Sequence, residues 1–258
     1  MELIIYVSIF ITGIVFGSFF TLAVYRIPRK ENITYVRSHC TSCDHKLGFW
    51  DLIPIFSYIF LRGKCRYCGE KIRIRYLLLE VLSGCVFLFV ALTHGITNIV
   101  NLIFIYLFMA GMFIIAGIDK ENKIIPNSLC VYELCISIAY LMYKYFVNQA
   151  MVENILGLLV IPIILYVLNK LIYYLIKDEN KLPIGYGDIK YLAIIGLMFG
   201  FPMQILAIVL SSIISLVGVL VNKYKEIPWG YYLTIATIIL LIIYPYIKEL
   251  IDLIQIRS

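Results

Sequence analysis

The stretch LIIYVSIFITGIVFGSFFTLAVY, residues 3–25, runs 23 residues without a charge and then meets Arg26, Arg29 and Lys30. A helix needs about 20 apolar residues to cross a bilayer, and this run supplies them. A secretory signal peptide would carry its positive residues first and an apolar core of about 7–15. Here Glu2 is the only early charge. The segment therefore predicts a retained first membrane helix with its amino terminus outside.

Seven further apolar runs lie at about 77–95, 98–118, 127–146, 154–176, 189–201, 203–221 and 230–252. Together they predict an all-α polytopic membrane protein of about eight transmembrane helices with both termini outside. The run at 189–201 is short and ends near Gly200-Phe201-Pro202, which marks it as the one to be tilted, broken or partly interfacial. Composition agrees: 62% of residues are apolar, 15% are charged and the mean hydropathy is +0.93. A soluble domain carries about 45–50% apolar and about 25% charged residues, so a soluble fold is excluded. Disordered, collagen-like and disulfide-scaffold classes go with it. Gly13/Gly17 and Gly196/Gly200 are small-x3-small pairs, read as close helix packing within one bundle.

The net charge of +6 is concentrated. Residues 26–76 hold 11 Lys/Arg against four acids, a balance of +7, so the remainder sums to −1. A basic loop beside apolar spans marks the cytoplasmic side rather than a nucleic-acid site. With eight more lysines at the other predicted cytoplasmic ends, 19 basic residues face inside. Only Lys144, Lys248 and Arg257 face outside. The chain accordingly divides into a first helix (1–25), a basic cytoplasmic loop (26–76) and a seven-helix membrane domain (77–258).

Within the basic loop stand Cys40-Thr-Ser-Cys43 and Cys65-Arg-Tyr-Cys68. A C-x2-C turn offers two thiolates to one cation, and two such turns complete a closed tetrahedral shell. The reading is a structural zinc in a small zinc-ribbon-like domain between helices 1 and 2. Disulfides are disfavoured on the reducing side of the membrane. Cys85, Cys130 and Cys135 lie in apolar spans and read as buried fillers.

Ionisable groups in or bordering a bilayer are expensive and are functional candidates by default. Four stand out: Glu80, Asp119, Glu133 and Asp188. Asp119 falls where the third span leaves the membrane, ahead of Ile125-Pro126. Asp188 closes Gly185-Tyr-Gly187-Asp188 before the sixth span. Both lie at the cytoplasmic boundary, 69 residues apart in sequence. Paired carboxyls share one proton, one serving as base toward water while the other polarises a carbonyl. That is the requirement of an aspartyl protease. Glycines without Cβ allow close approach of substrate backbone, and Lys190 is placed to bias the charge of Asp188. The plain alternatives are a helix N-cap for Asp188 and an exposed loop carboxylate for Asp119. His39, His45 and His94 form no nucleophile system. A proton-coupled transporter would place acids near the midplane, where Glu133 is the one good candidate. A non-catalytic scaffold presenting the zinc ribbon is the third class.

The sequence resembles the bacterial type IV prepilin peptidase family, the leader peptidase/N-methyltransferases with a G-x-G-D aspartyl site. The resemblance rests on Gly17-Ser18-Phe19 with Tyr25-Arg26-Ile27-Pro28, the two C-x2-C pairs, Asp51-Leu-Ile-Pro54, Arg75-Tyr76 with Glu80, Asp119 ahead of Pro126, and Gly185-Tyr-Gly187-Asp188-Ile-Lys190. It implies cleavage of the basic leader of prepilins and pseudopilins, after a glycine, at the cytoplasmic face of the plasma membrane. It also implies S-adenosylmethionine-dependent methylation of the new amino terminus, in the service of type IV pili, type II secretion or competence. Carried over, the catalytic aspartates are Asp119 and Asp188. The chain departs from the family's usual residues at Thr21, Thr41, Leu77 and Asn127. A +7 loop repels a basic leader and suits anionic lipid headgroups instead. Leader recognition is then expected at Glu121, Asp178 and Glu179.

Overall fold

The computed structural model describes residues 2–33, 38–40, 42–177, 184–222 and 227–257. The helices are α1 (Glu2–Arg26), α2 (Phe56–Phe60), α3 (Arg75–His94), α4 (Ile99–Asn122), α5 (Asn127–Phe146), α6 (Val152–Ile176), α7 (Tyr186–Phe199), α8 (Phe201–Asn222) and α9 (Trp229–Arg257). All but α2 and α7 are long and apolar enough to cross a membrane, which makes seven candidate spans. The chain is thus an all-helical, multi-pass membrane protein. With its 14 residues α7 measures about 21 Å, short of the roughly 30 Å hydrocarbon core. The sequence had singled out this element as the short one.

The chain forms two compact units, Met1–Thr97 and Asn98–Ser258. In the first, α1 packs on α3 through small residues. A Cβ at Gly13 would stand 2.9 Å from the Gly84 Cα, and Ser83 Oγ donates to the Gly13 carbonyl at 2.7 Å. Gly13 and Gly17 therefore serve packing within one bundle. Phe20, Ala23, Phe87 and Val90 are buried in this unit.

The segment between α1 and α3 holds two turns of one design. Cys40 donates its N–H to the His45 carbonyl and its own carbonyl accepts from Asp44. Cys65 and Glu70, then Cys65 and Gly69, repeat both bonds. Residue i+4 is left-handed each time, Asp44 at φ 55° and Gly69 at φ 74°. An isolated antiparallel bridge closes each turn, His39 with Lys46 and Lys64 with Lys71.

In the second unit α4 and α7 supply much of the core. Phe108, Met109, Met112, Ile115 and Ile118 are buried on α4, as are Tyr191, Leu192 and Ile195 on α7. A helix apolar all round is one enclosed all round. Helix α7 lies against α6 so closely that a Cβ at Gly157 or at Gly196 would strike the backbone of the other. Two asparagines of α6 then brace both ends of α7. Asn154 donates its amide to the carbonyls of Leu197 and Met198, and Asn169 to that of Ile184 at 2.6 Å. The last carbonyls of a helix lack internal partners, and in an apolar setting another side chain must satisfy them. Gly200, at φ 89°, ends α7, and α8 begins one residue later.

Candidate active site

Asp119 lies in the last turn of α4, which runs past the apolar stretch to Asn122. Lys123 caps the helix in the left-handed conformation and donates its N–H to the Asp119 carbonyl at 2.8 Å. The side chain of Asp119 is 4% exposed, which removes the exposed-loop reading. Its Oδ2 accepts the backbone N–H of Tyr231 at 2.9 Å, and the N–H of Gly230 is also within its reach.

Asp188 is the third residue of α7, and Gly185, in extended conformation, is the N-cap. Asp188 is therefore not the cap. It reaches back to the Gly185 N–H as an acid at N3 does in a capping box, at the helix end that favours negative charge. A Cβ at Gly185 would stand 2.9 Å from Asp188 Oδ2. The other oxygen, Oδ1, is buried with no hydrogen-bond partner among the described residues.

The two acids converge. The Gly230 N–H interacts with both carboxyls, and the charge of Asp119 acts directly on Asp188. Gly230 has no room for a side chain: a Cβ would lie 3.1 Å from Asp119 Oδ2 and 2.9 Å from Ile125 Cδ1. Gly187 packs on Ile125, next to Pro126, the N-cap of α5. Lys120, beside Asp119, holds Tyr231 in turn, with its ammonium 3.3 Å from the Tyr231 hydroxyl and 4.7 Å from the ring centroid.

Gly230 and Tyr231 were not legible as site residues, because they act through backbone N–H groups. The one available signal is a glycine opening the last apolar run directly after Pro228-Trp229.

Other residues singled out by sequence go elsewhere. Lys190 is exposed and its ammonium lies 3.3 Å from Asn127 Oδ1. Glu121 is exposed at the end of α4. Glu80, in the first unit, is buried and accepts the Ile55 N–H at 2.8 Å, closing the turn that leads into α2. Asp178 and Glu179 lie outside the described residues. Glu133 on α5 is 0% exposed, neither carboxyl oxygen has a hydrogen-bond partner among the described residues, and it fills the space a Cβ would need at Gly111.

The sulfurs of Cys40, Cys43, Cys65 and Cys68 all lie within 4.8 Å of one another. Cys40 Sγ and Cys68 Sγ are 3.8 Å apart. Four sulfurs about 2.3 Å from a tetrahedral zinc are separated by about 3.8 Å, so the cluster fits that ion. Backbone N–H groups of Ser42 and Cys43 pull the Cys40 thiol down to about 6. At Cys68 the Glu70 N–H favours the thiolate, but burial and the three neighbouring thiols win and push it up to about 12. Four sulfurs this close do not all ionise without a cation among them.

Known families match both halves of the chain. Residues 11–94 match the family described as Bacterial Peptidase A24 N-terminal domain, and residues 106–220 the one described as Type IV leader peptidase family. A Bacillus subtilis (strain 168) protein named "Prepilin leader peptidase/N-methyltransferase" is 30% identical over 207 residues, 80% of this chain and 79% of that protein. Proteins of the same name from Pseudomonas putida and Vibrio cholerae are 27% identical over 257 residues and 29% over 231. They cover 88% and 84% of this chain, and each match spans 86% of the relative. No solved structure matches. The chain belongs to the type IV leader peptidase family and is a membrane peptidase.

Proposed function

We propose that this chain removes the short basic leader of prepilins and pseudopilins, cutting after a glycine at the cytoplasmic membrane face, with Asp119 and Asp188 as the aspartyl pair. The relatives' printed names support prepilin processing. The observation that carries the catalytic assignment is the convergence of two acids, from the end of α4 and the start of α7, on the single N–H of Gly230.

Two carboxyls in one site share a proton. The ionised one takes a proton from water as its oxygen adds to the scissile carbonyl carbon, and the protonated one hydrogen-bonds the carbonyl oxygen. Collapse of the tetrahedral species breaks the C–N bond, and the amine leaves with a proton. Asp188 Oδ1, which no described residue engages, is the oxygen assigned to the attacking water in this reading, since Oδ2 lies against Gly185. The Tyr231 N–H fixes Asp119.

The relatives' names also support N-methylation of the new amino terminus, for which the methyl donor is S-adenosylmethionine. No residue of this chain is assigned to that donor. Cys40, Cys43, Cys65 and Cys68 would hold zinc, which cross-links two turns that lack a core of their own. The inside excess of basic residues supports both termini outside and the site facing the cytoplasm, a topology in which α7, though short, counts as the eighth crossing. The division into residues 1–25, 26–76 and 77–258 belongs to the same reading. Glu121, with Asp178 and Glu179, is proposed to meet the basic leader, while the pilin's apolar helix lies in the bilayer.

The test is a cleavage assay in membranes with a prepilin from the same cell, read by product mass. Wild type is expected to remove the leader and add one methyl group, and Asp119→Asn and Asp188→Asn each to lose cleavage. Cleavage by both variants would overturn the pair.

A further inference from the structure

The segment between α1 and α3 presents a ridge of aromatic side chains to which the proposed cleavage chemistry assigns no role. Phe49 and Trp50, on a single 3-10 turn, are 76% and 72% exposed; Phe60 on α2 is 80% exposed, with Phe56 and Ile59 also open. Scattered exposed apolar residues are ordinary, but five within 12 positions form a patch. A cavity of about 480 Å³ opens among them, walled by Trp50, Ile53, Phe56, Phe60 and Leu61, with Arg66 also lining it.

The ridge is held in place. Asp51, at the end of the 3-10 turn, accepts from the Gly48 N–H at 3.0 Å, from Arg66 Nε at 2.7 Å and from the Tyr67 hydroxyl at 3.4 Å. Arg66 and Tyr67 stand between the two cysteines of the second turn, so the aromatic turn and the cysteine turn are fastened together.

We propose that this ridge is a docking surface for an anionic lipid leaflet, its rings in the acyl boundary and its basic neighbours at the phosphates. Charge complementarity is the first argument. Residues 26–76 balance at +7, and they keep +5 after the two negative charges of an occupied zinc–tetrathiolate site are deducted. Lys46, Arg62, Lys64, Lys71 and Arg73 lie in the same stretch as the rings.

Continuity is the second argument. The segment leaves one bilayer-crossing helix at Arg26 and enters another at Arg75, so both of its ends are held at the headgroup level. Tryptophan and phenylalanine beside lysine and arginine are the composition of an interfacial surface, which buries its apolar face about 5–10 Å into the headgroup and acyl boundary.

The test uses the full chain carrying Trp229→Phe, which leaves Trp50 as the sole tryptophan. It is reconstituted in bilayers of phosphatidylcholine and phosphatidylglycerol whose acyl chains are brominated near the headgroup. Docking at that depth is expected to remove about half or more of the Trp50 emission and to shield it from aqueous iodide. The quenching should weaken in phosphatidylcholine alone at high salt. It should also fall in Phe56→Ser/Phe60→Ser, with zinc content showing whether that variant's cysteine turns remain folded. If the double variant loses its metal, dependence on the anionic lipid decides alone. Quenching by iodide and not by brominated lipid would overturn the proposal. Shielding from both quenchers would also overturn it, because the ridge would then be covered by protein.

Discussion

Asn169 of α6 donates its side-chain amide to the carbonyl of Ile184, 2.6 Å away, one residue ahead of the Gly185-Tyr-Gly187-Asp188 turn. The turn that carries Asp188 is therefore anchored from a neighbouring helix before α7 begins. A part-buried hydrogen bond of this kind is worth about 1 kcal/mol, and orphaning a half-buried carbonyl adds about 1 kcal/mol. Asn169→Ala is expected to lower the thermal midpoint in detergent by a few degrees and to slow prepilin cleavage about tenfold. Asn154→Ala strands two carbonyls at the other end of α7 and should lower the midpoint further.

Gly230→Ala puts a methyl group 3.1 Å from Asp119 Oδ2 and 2.9 Å from Ile125 Cδ1, so the end of the Ile125 side chain must turn aside and the carboxyl must give by a few tenths of an ångström. A displacement of about 1 Å costs about a hundredfold in rate, and this smaller one is expected to cost several-fold. Cleavage should fall by that order, with the chain still folded by circular dichroism.

Zinc analysis of purified protein should return one ion per chain, and Cys40→Ser or Cys65→Ser should bring it close to zero. Stripping the metal from membranes with a chelator is expected to leave peptide cleavage in place, because a closed four-thiolate site offers no position to substrate. Prompt loss of cleavage would instead show that the ribbon and the catalytic helices are coupled.

Glu133 buries a carboxyl with neither oxygen partnered among the described residues. Replacing an uncompensated buried acid with an apolar side chain of similar size removes a desolvation penalty. Glu133→Leu is expected to raise the thermal midpoint by a few degrees without loss of cleavage. A fall in both would assign this acid a use.

Charge reversal at exposed Glu121, as Glu121→Lys, is expected to raise KM for a basic leader several-fold while leaving kcat near wild type, since peripheral charges act on encounter. A prepilin with fewer leader lysines should narrow the difference.

Much of the architecture was legible because the bilayer writes its demand into composition. Apolar runs gave helix positions within a few residues, and the two C-x2-C turns announced a cluster whose sulfurs do lie together. Asp119 and Asp188 stood out because a charge at a span boundary needs a reason. The groups that hold them did not. Gly230 and Tyr231 contribute backbone N–H groups, and every residue but proline carries one. Asn154 and Asn169 are polar residues in a long apolar run, and their partners lie 15 to 44 residues away, beyond any local pattern. Glu80 stood out as an acid bordering a span, and the main-chain N–H it accepts lies 25 residues away.

The two asparagine braces bear on biogenesis. Helix α7 is too short to be stabilised by lipid contact alone, and its ends depend on amides that α6 supplies. Because α6 precedes it in the chain, the seat is synthesised before its occupant. Insertion of α7 is thus a docking event between two helices rather than an independent partitioning step. Two α6 side chains and the close Gly157/Gly196 contact hold α7 against α6, so a thicker or thinner bilayer would shift the pair together and leave Asp188 in register with its anchor.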